Sequence, residues 1–354
     1  MSWSKLQGHR ERIDAFRQIM ARGRLAHAYL FVGPAGIGKH RFASELAKSL
    51  LCEAKGRVKG TLDACDQCDA CLLVDAGTHP DLFQVARPED KNEFPVQLMR
   101  EFSAGFYLKA ARGRFKVGIV NDADDLNDES ANCFLKTLEE PPPGTVLILV
   151  GTSLDRQLPT IKSRCQLVRF APLTDDQVRT VLCEQGVSEQ AMLDRLVRLS
   201  GGSPGQALAL ADEELWKFRR ELLDGLTKPK VPSVELGRRF TAFAEEAGKE
   251  GSLQRQRAGQ VLRLLVEALT DVLRVQAGAA ARSAEPAELP LLARLAERAD
   301  RDKIDALVER CLETEAHLGR YVQISLVLEA LVDSMGQLLE HTGPLPLRHQ
   351  GFPA

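Results

Sequence analysis

The chain has 354 residues, 44% of them hydrophobic and 27% charged, with 47 basic against 49 acidic side chains and a formal net charge of −2. That length exceeds one compact core and predicts two or three domains, while the balanced charge removes any global basic field for nucleic-acid binding. No apolar run approaches the roughly 18 residues of a membrane span, and the N-terminus lacks an apolar signal core, so no membrane partner is expected and the cytoplasm is the expected compartment. The eight cysteines are then expected to be reduced, as metal ligands or core residues rather than disulfides.

The first candidate strand, Ala28–Val32, runs into Gly33-Pro34-Ala35-Gly36-Ile37-Gly38-Lys39-His40 and then a helical pattern. Strand, glycine loop and helix are the context a phosphate-binding loop requires. Gly33, Gly36 and Gly38 let backbone N–H groups approach phosphate oxygens, the helix start adds positive potential, and Lys39 is placed to reach the outer phosphates. Position 40 should carry a hydroxyl for Mg²⁺. It carries the imidazole of His40, from which a hard, oxygen-preferring cation gains little.

Directly after that helix, Cys52, Cys65, Cys68 and Cys71 follow a C-x12-C-x2-C-x2-C spacing. Four thiolates hold Zn²⁺ tetrahedrally, and all-cysteine ligation leaves no open catalytic position, so a structural zinc is the expectation. A redox-active or fortuitous cluster is the alternative. Cys133, Cys165, Cys183 and Cys311 lie within apolar patterns and read as core thiols.

Four further candidate strands, Asp81–Val85, Phe115–Val120, Thr145–Val150 and Gln166–Phe170, alternate with amphipathic segments and predict a parallel α/β sheet. At the end of the third strand a nucleotide-hydrolysing protein should carry a carboxylate for Mg²⁺ followed by a glutamate base. Here stand Asn121 and Asp122, an amide and a shorter acid. Asp124 or Asp125 could substitute through a one-turn shift; the other reading of this acidic cluster is helix capping and solvation. Thr152, just past the fourth strand, is placed either to polarise a γ-phosphate or to serve as an ordinary turn residue.

Strand patterns then stop. Asp175–Gln185, Gln190–Ser200 and Gly205–Asp212 read as three short helices, with Ser203 as N-cap and Pro204 at the first helical position of the last. From about 214 every pattern is helical. Val261, Leu264, Leu265, Ala268, Leu269, Val272 and Leu273 form one core stripe, and Ile304, Leu307, Val308, Cys311, Leu312 and Leu318 another. Ala277–Pro290 reads as an exposed connection. The expected domains are 1–172 with the four-cysteine insertion at 52–71, a small helical domain at 173–213, an all-helical domain at 214–345, and a tail at 346–354.

Three stretches carry a family resemblance. They are Leu25 to Gly33, Asn132 to Pro142 (Asn-Cys-Phe-Leu-Lys-Thr-Leu-Glu-Glu-Pro-Pro), and Leu158 to Cys165 with its Ser163-Arg164-Cys165. Together they resemble the AAA+ clamp-loader family of bacterial DNA polymerase III, strongly through residue 172. Gly202 to Leu208 and Leu326 to Leu331 resemble its lid and collar helices more loosely.

The resemblance implies an α/β P-loop (RecA-like AAA+) domain, a small helical lid and an all-α collar for oligomerisation. It implies a part in DNA replication as a component of the DNA polymerase III holoenzyme. Partners would be the tau and gamma motor subunits, the delta subunit, the sliding clamp and, through the complex, primed DNA. The family's motor subunits carry Thr after the loop lysine, Asp-Glu at the strand end and a nucleotide-sensing lid Arg. This chain has His40, Asn121-Asp122 and Ser203-Pro204-Gly205-Gln206, and so is similar to the kind of subunit whose own site is degenerate. Binding of ATP and Mg²⁺ is then in doubt, and its own ATPase absent or very weak. Arg164 would act in trans as an arginine finger on a neighbour, and Glu139 and Glu140 would cap and solvate a helix end before Pro141. Two rival readings are an active motor ATPase and a nucleotide-binding scaffold in DNA repair.

Overall fold

A computed structural model describes residues 3, 6–54, 62–88, 91, 93–320 and 322–341. Its contacts divide the chain into two compact units, Met1–Leu208 and Ala209–Ala354. The expected tail at 346–354, and the last residues of the expected all-helical domain, lie outside the described residues.

In the first unit the order is α1 (Arg10–Ala21), β1 (Ala28–Val32), α2 (Lys39–Leu51), α3 (Asp69–Asp75), β2 (Leu82–Val85), α4 (Val96–Tyr107), β3 (Lys116–Val120), α5 (Asp128–Glu139), β4 (Thr145–Gly151), α6 (Pro159–Lys162), β5 (Gln166–Arg169), α7 (Asp175–Glu184), α8 (Gln190–Leu199) and α9 (Pro204–Ala209). The five strands form one parallel sheet in the order β2-β3-β4-β1-β5. Every residue of β1, β3 and β4 is buried. This is why these strands read as unbroken apolar runs: a parallel sheet covered on both faces has no solvent side to alternate with. The edge strands β2 and β5 are short and partly exposed.

Each face of the sheet has its own core. Leu30, Val32, Leu147 and Leu149 pack with Met99, Phe102, Phe106 and Phe134 on one side. Aromatic rings dominate the other: Phe31 lies 5.7 Å from Phe42 and 5.0 Å from Phe170, centroid to centroid. Because Phe42 belongs to α2 and Phe170 follows β5, this cluster seats the helix that begins the phosphate loop against the central strand. Such ring pairs add about 0.5–1.5 kcal/mol each beyond their buried area.

The carboxyl ends of β1, β3 and β4 release Gly33, Asn121 and Thr152 onto one edge of the sheet. Open parallel sheets place ligand crevices there. Two helix starts are fixed by reciprocal side-chain caps, Asn127 with Ser130 for α5 and Thr174 with Gln177 for α7.

The second unit contains α10 (Glu213–Thr227), α11 (Ser233–Glu245), α12 (Gly251–Gln276), α13 (Leu289–Arg298), α14 (Arg301–Gly319) and α15 (Ile324–Glu340). Val261, Leu264, Leu265, Ala268, Leu269 and Val272 are all buried, as are Ile304, Leu307, Cys311 and Leu318. Leu312, expected in the second stripe, is 52% exposed. It sits one position past Cys311, where the helical period turns a side chain off the core face.

The connection at 277–288 is less exposed than its Ala, Ser and Pro content suggests. Ser283 and Glu288 are fully buried, because Asp271 accepts hydrogen bonds from the backbone of Arg282, Ser283 and Ala284, and Arg219 pairs with Glu288 at 3.3 Å. Burial of polar groups is tolerated where such partners exist. The third short helix ends at Ala209, earlier than its pattern suggested, and Cys183 is exposed rather than in the core. Cys165 packs against the core, and burial pushes its thiol up to about 12.

Candidate functional site

The phosphate loop is bounded by β1 and α2 and closed on its own chain. Gly36 and Gly38 have φ of 75° and 94°, in the left-handed region that only glycine enters without strain. A Cβ at Gly36 would lie 2.5 Å from Ser203 Oγ, so this glycine is also required by the close approach of the segment that starts α9. That segment is bonded to the loop directly. Ser203 Oγ donates to the Ala35 carbonyl at 2.7 Å, and the Gly205 N–H donates to the Gly36 carbonyl at 3.0 Å. Ser203 also accepts from the Gln206 N–H at 3.2 Å, the N-cap its sequence position indicated. Its second role, reaching the loop, had no sequence signal.

Lys39 is turned back onto the same loop. It is 5% exposed, and its Nζ donates to the carbonyls of Gly33 and Pro34, each at 2.5 Å. Burial pulls its pKa down to about 8, with Asp124 partly offsetting that fall. From the other side His9 meets the Ile37 carbonyl at 2.7 Å through Nε2.

The two positions that should hold Mg²⁺ are joined to each other. His40 Nδ1 donates to Asn121 Oδ1 at 2.8 Å. The next residue, Asp122, is exposed and has a left-handed φ of 52°. Thr152 donates from both its N–H, at 2.7 Å, and its hydroxyl, at 2.6 Å, to Asp124 Oδ2. Gln157 donates to the other oxygen of Asp124. Asp125 pairs with Arg87 and Arg156, each at 2.9 Å. Both carboxylates offered as substitutes at the strand end are therefore engaged by the chain itself, and Thr152 fastens β4 to the turn after β3.

The four cysteines converge. Their Sγ atoms all lie within 4.8 Å of one another, with Cys52 to Cys68 at 4.0 Å and Cys65 to Cys71 at 3.9 Å. A tetrahedral Zn²⁺ with Zn–S bonds of about 2.3 Å has sulfur–sulfur edges of roughly 3.8 Å, which these separations approach. Cys52 takes its place as the first member despite the long spacer, because it is the C-cap residue of α2 while Cys68 caps α3 and Cys71 lies within it. Hydrogen bonding to sulfur, chiefly from the Gln67 N–H, holds the Cys65 thiol down to about 6, whereas burial raises that of Cys71. Lys48 ties the segment to α2 through Asp75 at 2.9 Å and Asp66 at 3.1 Å. The donor set fits a metal.

Arg164 follows α6 in the loop before β5, its side chain 30% exposed. Its guanidinium donates through Nε to Glu139 Oε1 at 2.8 Å and through Nη1 to the Thr160 carbonyl at 2.9 Å. Glu139, read from sequence as a helix-end cap, is thus the ion-pair partner of Arg164.

A parallel β2-β3-β4-β1-β5 sheet with a phosphate loop after β1 defines an AAA+ type P-loop fold, followed by a helical C-terminal region. The family model for "DNA polymerase III, delta subunit" matches residues 8–174. DNA polymerase III subunit delta' of Escherichia coli K12 is 35% identical over 258 residues, covering 73% of this chain and 73% of that protein. The Pseudomonas aeruginosa subunit delta' is 37% identical over 214 residues, 60% of this chain and 63% of that protein, so the match to it spans less than two thirds of its length. Subunit tau of E. coli is 32% identical over 241 residues, 67% of this chain but 36% of that protein. The chain belongs to the DNA polymerase III delta-prime family of clamp-loader subunits. Among the described residues no helix is long and apolar enough to cross a membrane.

Proposed function

We propose that this chain is the delta-prime-like arm of a clamp loader that places the sliding clamp on primed DNA, and that it does not turn over ATP itself. The single observation that carries this reading is the closure of its phosphate loop. Lys39 is held by the Gly33 and Pro34 carbonyls, and His40 and Asn121 bond to each other where a hydroxyl and a carboxylate would face Mg²⁺. A phosphate entering the loop must displace Lys39 from two acceptors and meet Ser203 and Gly205 at Ala35 and Gly36. This favours the degenerate site over the rival motor reading.

Catalysis then resides in Arg164. A guanidinium offered across a subunit boundary stabilises charge on a transferring γ-phosphoryl group, and supplying it in trans is worth about 10³–10⁵ in rate. The ATP it acts on belongs to a neighbouring tau or gamma motor subunit. Residues 173–213 serve as the lid, and 214–345 as the collar that joins motor and delta subunits in the ring. Primed DNA is engaged through that complex, in the cytoplasm. Cys52, Cys65, Cys68 and Cys71 hold a structural zinc, whose role is to fix the insertion after α2.

The test is reconstitution with motor and delta subunits, comparing primed-DNA-stimulated hydrolysis with Arg164 and with Arg164→Ala, alongside this chain alone. Loss in the complex with no turnover by the chain alone supports the reading. Mg²⁺-dependent turnover by the chain alone favours the motor ATPase instead.

A further inference from the structure

Arg164 has five N–H donors, and Glu139, Thr160 and Ser163 account for four of them. Nε and one Nη2 hydrogen go to Glu139 Oε1, while the two Nη1 hydrogens go to the Thr160 carbonyl at 2.9 Å and Ser163 Oγ at 3.1 Å. Among the described residues one Nη2 N–H remains without an acceptor. Below the guanidinium the backbone is pinned, since the Arg164 N–H donates to the Ile161 carbonyl at 3.1 Å and the next residue, Cys165, packs on the core. The stem is fixed by α6, and the charged head by a residue from a different element.

That residue is unexpectedly placed for a cap. Glu139 is the last residue of α5, where the negative end of the helix dipole disfavours a carboxylate. A cation at this point compensates both the carboxylate and the helix end. Asn127 and Ser130 cap the opposite end of the same helix.

Resting on the reading of Arg164 as a trans-acting finger, we propose that Glu139 is a positioning residue. It holds the Nε/Nη2 edge of the guanidinium so that the free Nη2 N–H points away from α5 toward a neighbour's phosphate. The pair is half exposed, with side-chain exposures of 30% and 48%, so it orders the arginine without burying it. A long side chain held in one rotamer before the encounter loses less freedom on reaching the phosphate. Without Glu139 the same charge is present but spread over many rotamers, and the rate falls while ATP affinity at the neighbour does not.

The experiment uses the reconstituted loader with Glu139→Ala, Glu139→Gln, Arg164→Ala and the Glu139→Ala/Arg164→Ala double variant, with Glu140→Ala as the neighbouring-carboxylate control. Assembly is checked by sedimentation and folding by thermal melts. Expected for Glu139→Ala is about a tenfold lower kcat for primed-DNA-stimulated hydrolysis with the KM for ATP within about twofold. Glu139→Gln keeps an acceptor oxygen and recovers most of the rate, and Glu140→Ala is unchanged. The double variant is no slower than Arg164→Ala alone, as two residues acting through one group must be. Positioning is overturned if Glu139→Ala matches or exceeds the unmodified chain, or if its loss adds to that of Arg164→Ala, while Arg164→Ala itself remains slow. If Arg164→Ala has no effect, the finger reading fails first and the positioning role falls with it.

Discussion

His40 and Asn121 are bonded side chain to side chain at 2.8 Å, joining the start of the loop helix α2 to the end of strand β3. Each residue alone reads as a lost metal ligand. Together they form a cross-link between the two elements that a bound Mg²⁺ would otherwise bridge. A hydrogen bond of this kind contributes about 0.5–1.5 kcal/mol net, and an exposed one sits at the low end. His40→Ala, Asn121→Ala and the double variant should therefore show a coupling of about 0.5 kcal/mol in urea denaturation. Strict additivity would show that the two side chains do not act as a pair.

Closure of the loop predicts indifference to nucleotide. A ligand at 100 times its Kd stabilises a fold by about 2.7 kcal/mol, several degrees in melting temperature for a domain of this size. Millimolar MgATP should leave the thermal transition of the isolated chain within about 1 °C, by that same arithmetic for a site that stays empty. A shift of several degrees would mean that Lys39 and the Ser203 segment yield to phosphate.

Lys39 also makes stability depend on pH. Its folded pKa lies near 8, below the ordinary 10.5, because burial disfavours the ammonium. Between those values the unfolded chain binds the extra proton, so this group adds stability as pH rises from about 8 toward 10.5 and adds none of that increment below 8. Lys39→Met has no such proton to lose. Its stability advantage or deficit relative to the unmodified chain should drift against the variant across that window, as read by denaturation at pH 7.5, 9 and 10.5. A constant difference would place the Lys39 pKa at its ordinary value.

In the second unit Arg219 and Glu288 are both fully buried and paired at 3.3 Å, with Ser283 Oγ accepting from Arg219 at 3.2 Å. Truncating Glu288 removes one member of a buried pair, a change that costs about 3–5 kcal/mol. Glu288→Ala should lower the denaturation midpoint accordingly. A loss below about 1 kcal/mol, the range of an exposed pair, would show that water reaches the site.

What the residues disclosed by themselves follows from the range over which each signal acts. The five strands were legible to within a residue at each end, and the three central ones most plainly, because Tyr29, Phe31, Ile119 and Ile148 belong to short, wholly buried runs. The cysteine cluster was legible because ligand type and short spacing are local properties, and even Cys52, separated from Cys65 by twelve residues, joins it once α2 and α3 are formed. The contacts that close the site were not legible. Ser203 reaches Ala35 across 168 positions, and Glu139 reaches Arg164 across 25. Such pairs depend on how whole elements pack, and neither residue type announces its partner. The burial of Ser283 and Glu288 inside a stretch of loop composition was hidden for the same reason, since the partners Asp271 and Arg219 lie on α12 and α10.

On the function proposed above, Arg164 serves a neighbour's ATP. The most direct measurement is single-turnover hydrolysis by a reconstituted loader in which only the motor subunit adjoining this chain keeps a working site, with Arg164 and with Arg164→Ala. The predicted result is a loss of about 10³-fold or more in the chemical step with ATP binding retained, the scale of an arginine supplied in trans. An unchanged rate, accompanied by Mg²⁺-dependent turnover in this chain alone, would contradict it.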